Sequence, residues 1–172
     1  FGVAIREYQT TNGPVDYALF VDRNPVGVVE AKKVGFPLIG VTEQSEKYLL
    51  GLEEKFPNAP IIPPISYETT GIETLFADRR DPDYRSRKVF SFHRPEFIAR
   101  LLKEPKTLRA NLRDIPKLDY QKLRKCQTDA IIGLEKSFAA NRPKSLIQMA
   151  TGSGKTFAAV TSVYRLLKFA KA

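Results

Sequence analysis

Three residues of the first half could do chemistry together. Asp16, Glu30 and Lys32 stand in two apolar runs, VDYALFV at 15–21 and VGVVEAK at 26–32, separated by a short polar turn. Alternation along a strand puts Glu30 and Lys32 on one face and Ala31 on the other. Whether Asp16 joins them depends on the turn. A three-residue loop at Asp22-Arg23-Asn24 pairs Val21 with Pro25 and sets Asp16 opposite Glu30, whereas a four-residue loop sends the carboxylates to opposite faces. Asn24 tolerates the left-handed conformation that such a three-residue loop wants at its third position. Two converging carboxylates make a hard oxygen site for Mg²⁺. A cation there would polarise a phosphate and lower the pKa of an attacking water, and Lys32 could orient that water and stabilise developing charge. A solvated hairpin edge explains the same residues. Against it, the strands are otherwise apolar on both faces, and charge in a buried strand is costly without a partner or purpose. Gln44 and Tyr48, four apart on the helix predicted next, share a face; a half-buried helical face accounts for them as well.

The second constellation is SLIQMATGSGKTFA at 145–158. Gly152-Ser153-Gly154-Lys155-Thr156 has the composition of a phosphate-binding loop, in which small residues let backbone N–H groups converge on phosphate oxygens before a helix N-terminus. Lys155 would reach the β- and γ-phosphates and the Thr156 hydroxyl would ligate Mg²⁺. The general pattern has Gly where Met149 stands. A buried strand at 145–149 and a helix at 155–169 are the expected flanks. Gln127, near the start of an amphipathic helix, carries an amide that can donate and accept at once, as an adenine edge demands.

These residues need elements to hold them. The pattern predicts strands at 3–8, 15–21, 26–32, 61–67, 73–76 and 89–92, with helices at 41–56, opening on Val41, and at 95–102 behind Pro95. Residues 104–119, broken by Pro105 and Pro116, read as a linker. A helix at about 120–140, a Pro/Asn/Arg turn, a strand and a helix then follow, the opening unit of a parallel α/β domain. The fold class is α/β, with units at 1–103 and 120–172. Beginning at Phe1 rather than Met points to upstream sequence. The residues after Thr156 are too few for an acidic ATPase motif or a second lobe, so ATP hydrolysis is not expected of these residues alone.

Composition narrows the classes. Lys and Arg number 28 against 19 Asp and Glu, a formal charge of +9, which favours a polyanionic partner. Arg79, Arg80, Arg85, Arg87, Lys88, His93 and Arg94 form a basic cluster that could touch DNA phosphates or be a solvated loop. Cys126 is the single cysteine and His93 the single histidine, which excludes an internal disulfide, disfavours a His/Cys zinc site and fits a reducing cytoplasm. No apolar run approaches the roughly 20 residues of a membrane span.

The strings VDYALFVDRNPVGVVEAKK, VTEQSEKYLLGL, RRDPDYRSRKVFSFHRPE, LRKCQTDAI and MATGSGKT resemble, in order, the restriction (R) subunit of type I restriction-modification enzymes. Asp16 with Glu30-x-Lys32 is similar to the PD-(D/E)xK nuclease signature, EQSEKY to the QxxxY element of RecB-type nucleases, and Gln127 with MATGSGKT to the Q motif and motif I of superfamily 2 helicases. The resemblance implies a PD-(D/E)xK mixed-sheet core, followed by the first βα unit of a RecA-like motor domain. It implies a type I site-specific deoxyribonuclease that translocates and cuts double-stranded DNA. Mg²⁺ and ATP would be required, with methyltransferase (M) and specificity (S) subunits as partners and S-adenosylmethionine bound elsewhere in the assembly. By resemblance, Asp16, Glu30 and Lys32 cut, supported by Gln44 and Tyr48, while Gln127 and Thr151, Gly152, Ser153, Gly154, Lys155 and Thr156 hold ATP. Related nucleases carry a further acidic residue on a helix before the first strand. Two other classes compete: a superfamily 2 translocase whose front domain only docks, and a non-enzymatic DNA-binding or assembly fragment.

Overall fold

A computed structural model of the chain describes residues 1–38, 41–142 and 144–172, with the side chains of Val41 and Thr42 also outside the description. The expected apolar contact of Val41 and the Pro143 of the predicted turn therefore lie outside the described residues. The chain forms two compact units, Phe1–Pro105 and Lys106–Ala172.

The first unit is a mixed six-stranded sheet whose strands lie side by side in sequence order: β1 (Gly2–Thr10), β2 (Gly13–Val21), β3 (Asn24–Ala31), β4 (Ile65–Thr69), β5 (Thr74–Asp78) and β6 (Arg87–Val89). Neighbours are antiparallel except β3 and β4, which are parallel. Parallel strands cannot be joined by a tight turn, and the crossover carries helix α1 (Val41–Lys55). Helix α2 (Pro95–Lys103) follows β6, with Pro95 in its first turn, where the missing N–H is harmless. Strand β4 starts later than the sequence predicts. Pro60, Pro63 and Pro64 precede it, and proline cannot donate to a ladder.

Two cores share this sheet. On one face Val26, Val29, Ile65, Tyr67 and Phe76 pack with Ile98 of α2. On the other, Val15, Ala18 and Val28 pack under Leu49 and Leu52 of α1. Each fully buried side chain of this kind stabilises by about 1.5–3 kcal/mol. Strand β3 is therefore covered on both faces and buried from Pro25 to Glu30, so any charge it carries is held away from water.

In the second unit, α3 (Leu108–Arg113) is capped by Thr107, whose Oγ1 accepts the Ala110 N–H at 3.2 Å. Part of the stretch expected as linker is thus helical, and the Asn111 amide donates to the Ala170 carbonyl at 3.3 Å. Helices α4 (Lys125–Ala139) and α5 (Lys155–Arg165) follow, and α5 runs into a π-helical turn at Leu166–Ala170. Arg165, nearly buried, holds Glu135 at 2.6 Å between the two helices. The strand expected at 145–149 does not form. Residues 144–150 carry no strand pairing, and Leu146 is 94% exposed. A strand needs a neighbour for its N–H and C=O groups, and among the described residues of this unit there is none. The βα unit is present here as loop and helix only.

Candidate functional site

The β2–β3 hairpin reaches the geometry required of Asp16 by a different route from the one the sequence suggests. The turn has two residues, not three: Asp22 and Arg23 both take positive φ (49° and 68°), and Val21 pairs with Asn24 rather than Pro25. Such a turn alone would put Asp16 and Glu30 out of step. The register shifts between Phe20, opposite Pro25, and Leu19, opposite Gly27, leaving Val26 as an extra residue in β3. That bulge restores the parity. Tyr17 then faces Val29, and one residue further Asp16 comes beside Glu30, its Oδ2 accepting the Ala31 N–H at 2.7 Å.

Glu30 is 3% exposed. The Lys32 ammonium donates to Glu30 Oε2 at 3.1 Å and to Gln44 Oε1 at 3.0 Å, and the Gln44 amide donates to the Tyr48 hydroxyl at 3.2 Å. Four of the five expected residues thus form one continuous chain of hydrogen bonds from β3 to α1, with Asp16 at its side. Burial pushes the Glu30 carboxyl above the usual carboxylate range; the Lys32 hydrogen bond opposes this, and the nearby Asp16 charge reinforces it. A buried acid with a raised pKa beside a second acid gains most from a divalent cation. The donors are hard oxygens, so the pair fits Mg²⁺ in chemistry. Among the described residues no group of three or more His, Cys, Asp or Glu is arranged to hold a metal ion.

Sequence reasoning missed Glu68. It lies on β4 in parallel register with Glu30, is 1% exposed, and its Oε2 accepts from the Ser86 hydroxyl at 3.0 Å. Its strand reads ISYET, whose alternation imitates a strand with one wet face, and only the buried partners distinguish it.

The basic cluster is largely engaged within the chain. Arg80 grips Asp78 at 2.7 Å, Arg87 grips Asp81 at 2.7 Å, Arg79 meets Glu53 of α1 at 3.5 Å, and Lys88 meets Glu73 at 2.6 Å. His93 is bound through Nδ1 to the Tyr67 hydroxyl at 2.7 Å and stacks on Phe97. Burial pushes the Tyr67 phenol up to about 12. The Tyr67 and His93 rings help wall an apolar cavity of about 640 Å³ on the α2 face of the sheet, which Lys32 also touches.

In the second unit, Gly152 and Gly154 take positive φ (77° and 83°) on either side of Ser153, conformations that cost glycine nothing. Gly154 precedes the first turn of α5, which places Lys155 and Thr156 at its N-terminus. The Lys155 ammonium lies against the carbonyls of Ala150 (3.2 Å) and Met149 (3.4 Å). Gln127 is 5% exposed, and both ends of its amide are engaged. Oε1 accepts the Arg124 N–H at 3.0 Å, while Nε2 donates to the carbonyls of Ser153 (3.1 Å) and Gly154 (3.2 Å). Arg124 adds a bond to the Gly152 carbonyl at 3.0 Å. Gln127 thus braces the loop. Thr151 and Thr156 are exposed.

Parts of both units match known proteins. Residues 2–62 match the family model for the second domain of the EcoKI type I restriction enzyme endonuclease subunit, and residues 120–172 match that of the type III restriction enzyme res subunit. Among curated proteins, the type I restriction enzyme EcoKI endonuclease subunit of Escherichia coli (strain K12) is 26% identical, with 96% of this chain and 18% of that protein covered. A solved fragment assigned to an HsdR subunit of a type I restriction enzyme from Vibrio vulnificus YJ016 is 24% identical, covers 95% of this chain and 33% of its own, and has a TM-score of 0.45. The chain spans under a fifth of the curated relative it matches. One of the family models and that relative are type I restriction endonuclease subunits, and the other family model is a type III res subunit. Among the described residues no helix is long and apolar enough to cross a membrane.

Proposed function

We propose that the chain is the nuclease and nucleotide-binding portion of a type I restriction R subunit, which cuts double-stranded DNA and, in the intact protein, couples cutting to ATP-driven translocation. On this reading residues 1–103 are a PD-(D/E)xK nuclease domain, 104–119 a connector and 120–172 the start of a RecA-like motor domain. M and S subunits supply DNA recognition in a cytoplasmic complex. The observation that carries the nuclease half is the bulged hairpin, which brings Asp16 beside the buried Glu30–Lys32–Gln44–Tyr48 chain.

Asp16 and Glu30 would hold Mg²⁺, which when bound polarises the scissile phosphate and acidifies a water. Lys32, hydrogen-bonded to Glu30 Oε2 at 3.1 Å, would present its ammonium to the phosphate and stabilise the charge that develops there. Gln44 keeps Lys32 in place throughout, and the Tyr48 hydroxyl fixes Gln44. In the second unit, the backbone of 151–154 cradles the ATP phosphates, Lys155 leaves the carbonyls of Met149 and Ala150 for them, and the Thr156 hydroxyl would ligate the accompanying Mg²⁺.

The test is Mg²⁺-dependent nicking of a plasmid by the intact protein. Glu30→Ala should lower the rate by roughly 100-fold or more, on the scale of losing a charge-stabilising group in a closed site. Unchanged cutting would leave the first unit as a docking module on a translocase.

A further inference from the structure

We infer that Gly51, with the β1–β2 turn that seats on it, is a positioning device of the candidate nuclease site: it sets how closely α1 approaches that turn, and so whether Gln44 reaches Lys32. The inference rests on the nuclease reading above and assigns a residue that touches none of the reacting groups.

The β1–β2 turn is fixed from within. Thr10 and Gly13 close it as the last pair of the two strands. Thr10 is 3% exposed; its hydroxyl donates to the Gly13 carbonyl at 2.7 Å and accepts the Asn12 N–H at 3.2 Å. Gly13 takes φ of 116°, a conformation open to glycine. Strand β2 leaves the turn at Gly13 and carries Asp16.

The turn and the end of β1 lie along one stripe of α1. Asn12 Nδ2 donates to the Lys47 carbonyl at 3.1 Å, and the Thr11 N–H donates to the Gly51 carbonyl at 3.4 Å. The Thr11 hydroxyl lies between that carbonyl, at 3.3 Å, and the Glu54 carboxylate. The Lys55 ammonium donates to the Gln9 carbonyl at 2.5 Å. Lys47, Gly51 and Lys55 are spaced by one turn each and form a line along the helix. Carbonyls in mid-helix already accept intrahelical bonds, so the ties from the turn are additional and need the two backbones to come close.

Glycine at 51 permits that approach. A Cβ there would stand 2.8 Å from Asn12 N and from Thr10 Oγ1, and 3.0 Å from Asn12 Cβ. These distances are well inside ordinary contact, and Asn12 N is backbone that cannot swing aside. Alanine is the better helix former in mid-helix, so local propensity argues against glycine here and the close approach accounts for it. Gln44 and Tyr48 belong to the same helix, and their bonds to Lys32 (3.0 Å) and to each other (3.2 Å) depend on where the turn holds it. Asp16 on β2 and Gln44 on α1 thus hang from one anchor.

The experiment follows the side-chain amide resonance of Gln44 by NMR in the isotope-labelled whole chain without added metal, assigned by its loss in Gln44→Ala. Lys32→Met removes the donor to Gln44 and should displace that resonance. Gly51→Ala should displace it in the same direction, and no further when combined with Lys32→Met, because changes that act through one bond do not add. Leu102→Ala, which thins the core on the other face, should lower the melting temperature and leave the resonance in place. Should Gly51→Ala fail to fold, Asn12→Ala removes the tie to Lys47 without adding bulk and is read in the same way. A resonance that these variants leave unmoved, or displacements that simply add to that of Lys32→Met, overturn the assignment. In the intact protein, Gly51→Ala should lower kcat for Mg²⁺-dependent nicking by roughly 10- to 100-fold with KM changed less, the scale of a small misplacement. If the resonance moves as expected and cutting does not change, the placement of α1 stands and the nuclease role of Gln44 and Lys32 fails.

Discussion

His93 sits between Tyr67, Phe76 and Phe97, its Nδ1 bonded to the Tyr67 hydroxyl at 2.7 Å. Burial, and secondarily the Arg87 charge, hold its pKa below the ordinary 6.5. A histidine that binds its proton less tightly when folded contributes its full stability above 6.5 and loses it as pH falls through that value toward the folded pKa. Stability to urea should therefore fall more steeply between about pH 7 and pH 5 in the wild-type chain than in His93→Gln. Parallel curves for the two proteins would refute this role. The placement of other residues was legible in the sequence because they break a local rule. Glu30 and Lys32 are charges in an apolar strand, and Gln44 and Tyr48 share a helical face. Glu68 breaks none. Its burial comes from α1 and the segment between β5 and β6, distant in sequence, and no local pattern announces it.

The β2–β3 hairpin holds two residues at positive φ, neither of them glycine. The two-residue turn of this handedness favours Gly at its second position, and Arg23 takes φ of 68° there. Arg23→Gly should raise stability by about 0.5–1 kcal/mol, the relief of left-handed strain less the added freedom of the unfolded chain, and chemical denaturation will show it. An unchanged or lower midpoint would mean that Arg23 makes up the strain through its side chain. The sequence points to a three-residue loop as the way to align Asp16 with Glu30, whereas a two-residue turn and a bulge at Val26 do so. A bulge there leaves the apolar pattern intact, so no local pattern announces it. The strand expected at 145–149 does not form for another reason: its composition suits a sheet, but the described residues of its unit supply no strand to pair with it.

Across the whole chain, the second unit leaves a large apolar surface open. Phe157, Val160, Tyr164 and Leu167 recur at helical spacing and are 52%, 61%, 54% and 60% exposed. Contiguous apolar surface of this kind drives association, even in a chain of formal charge +9. Sedimentation velocity should show self-association that grows with concentration, and Val160→Glu with Leu167→Glu should shift the population towards monomer while helix content is retained. If the double variant sediments like the parent, this face is not the one that associates. The prolines and charges after residue 103 suggest a linker at 104–119, whereas the two compact units meet at Pro105 and Lys106. The helix at 108–113 was not legible, since six residues capped by one threonine are too short for periodicity to show.

On the proposed reading, the brace at Gln127 links two ends of a nucleotide site. If its amide reads adenine, a purine must first take that amide from the carbonyls of Ser153 and Gly154, to which it is now bonded. Arrival of the base and release of the phosphate loop then become a single exchange of partners. By linkage, a triphosphate that reshapes the loop must alter the affinity for the base by the same factor. Gln127 would act as a latch, reporting at one end of the nucleotide what has arrived at the other.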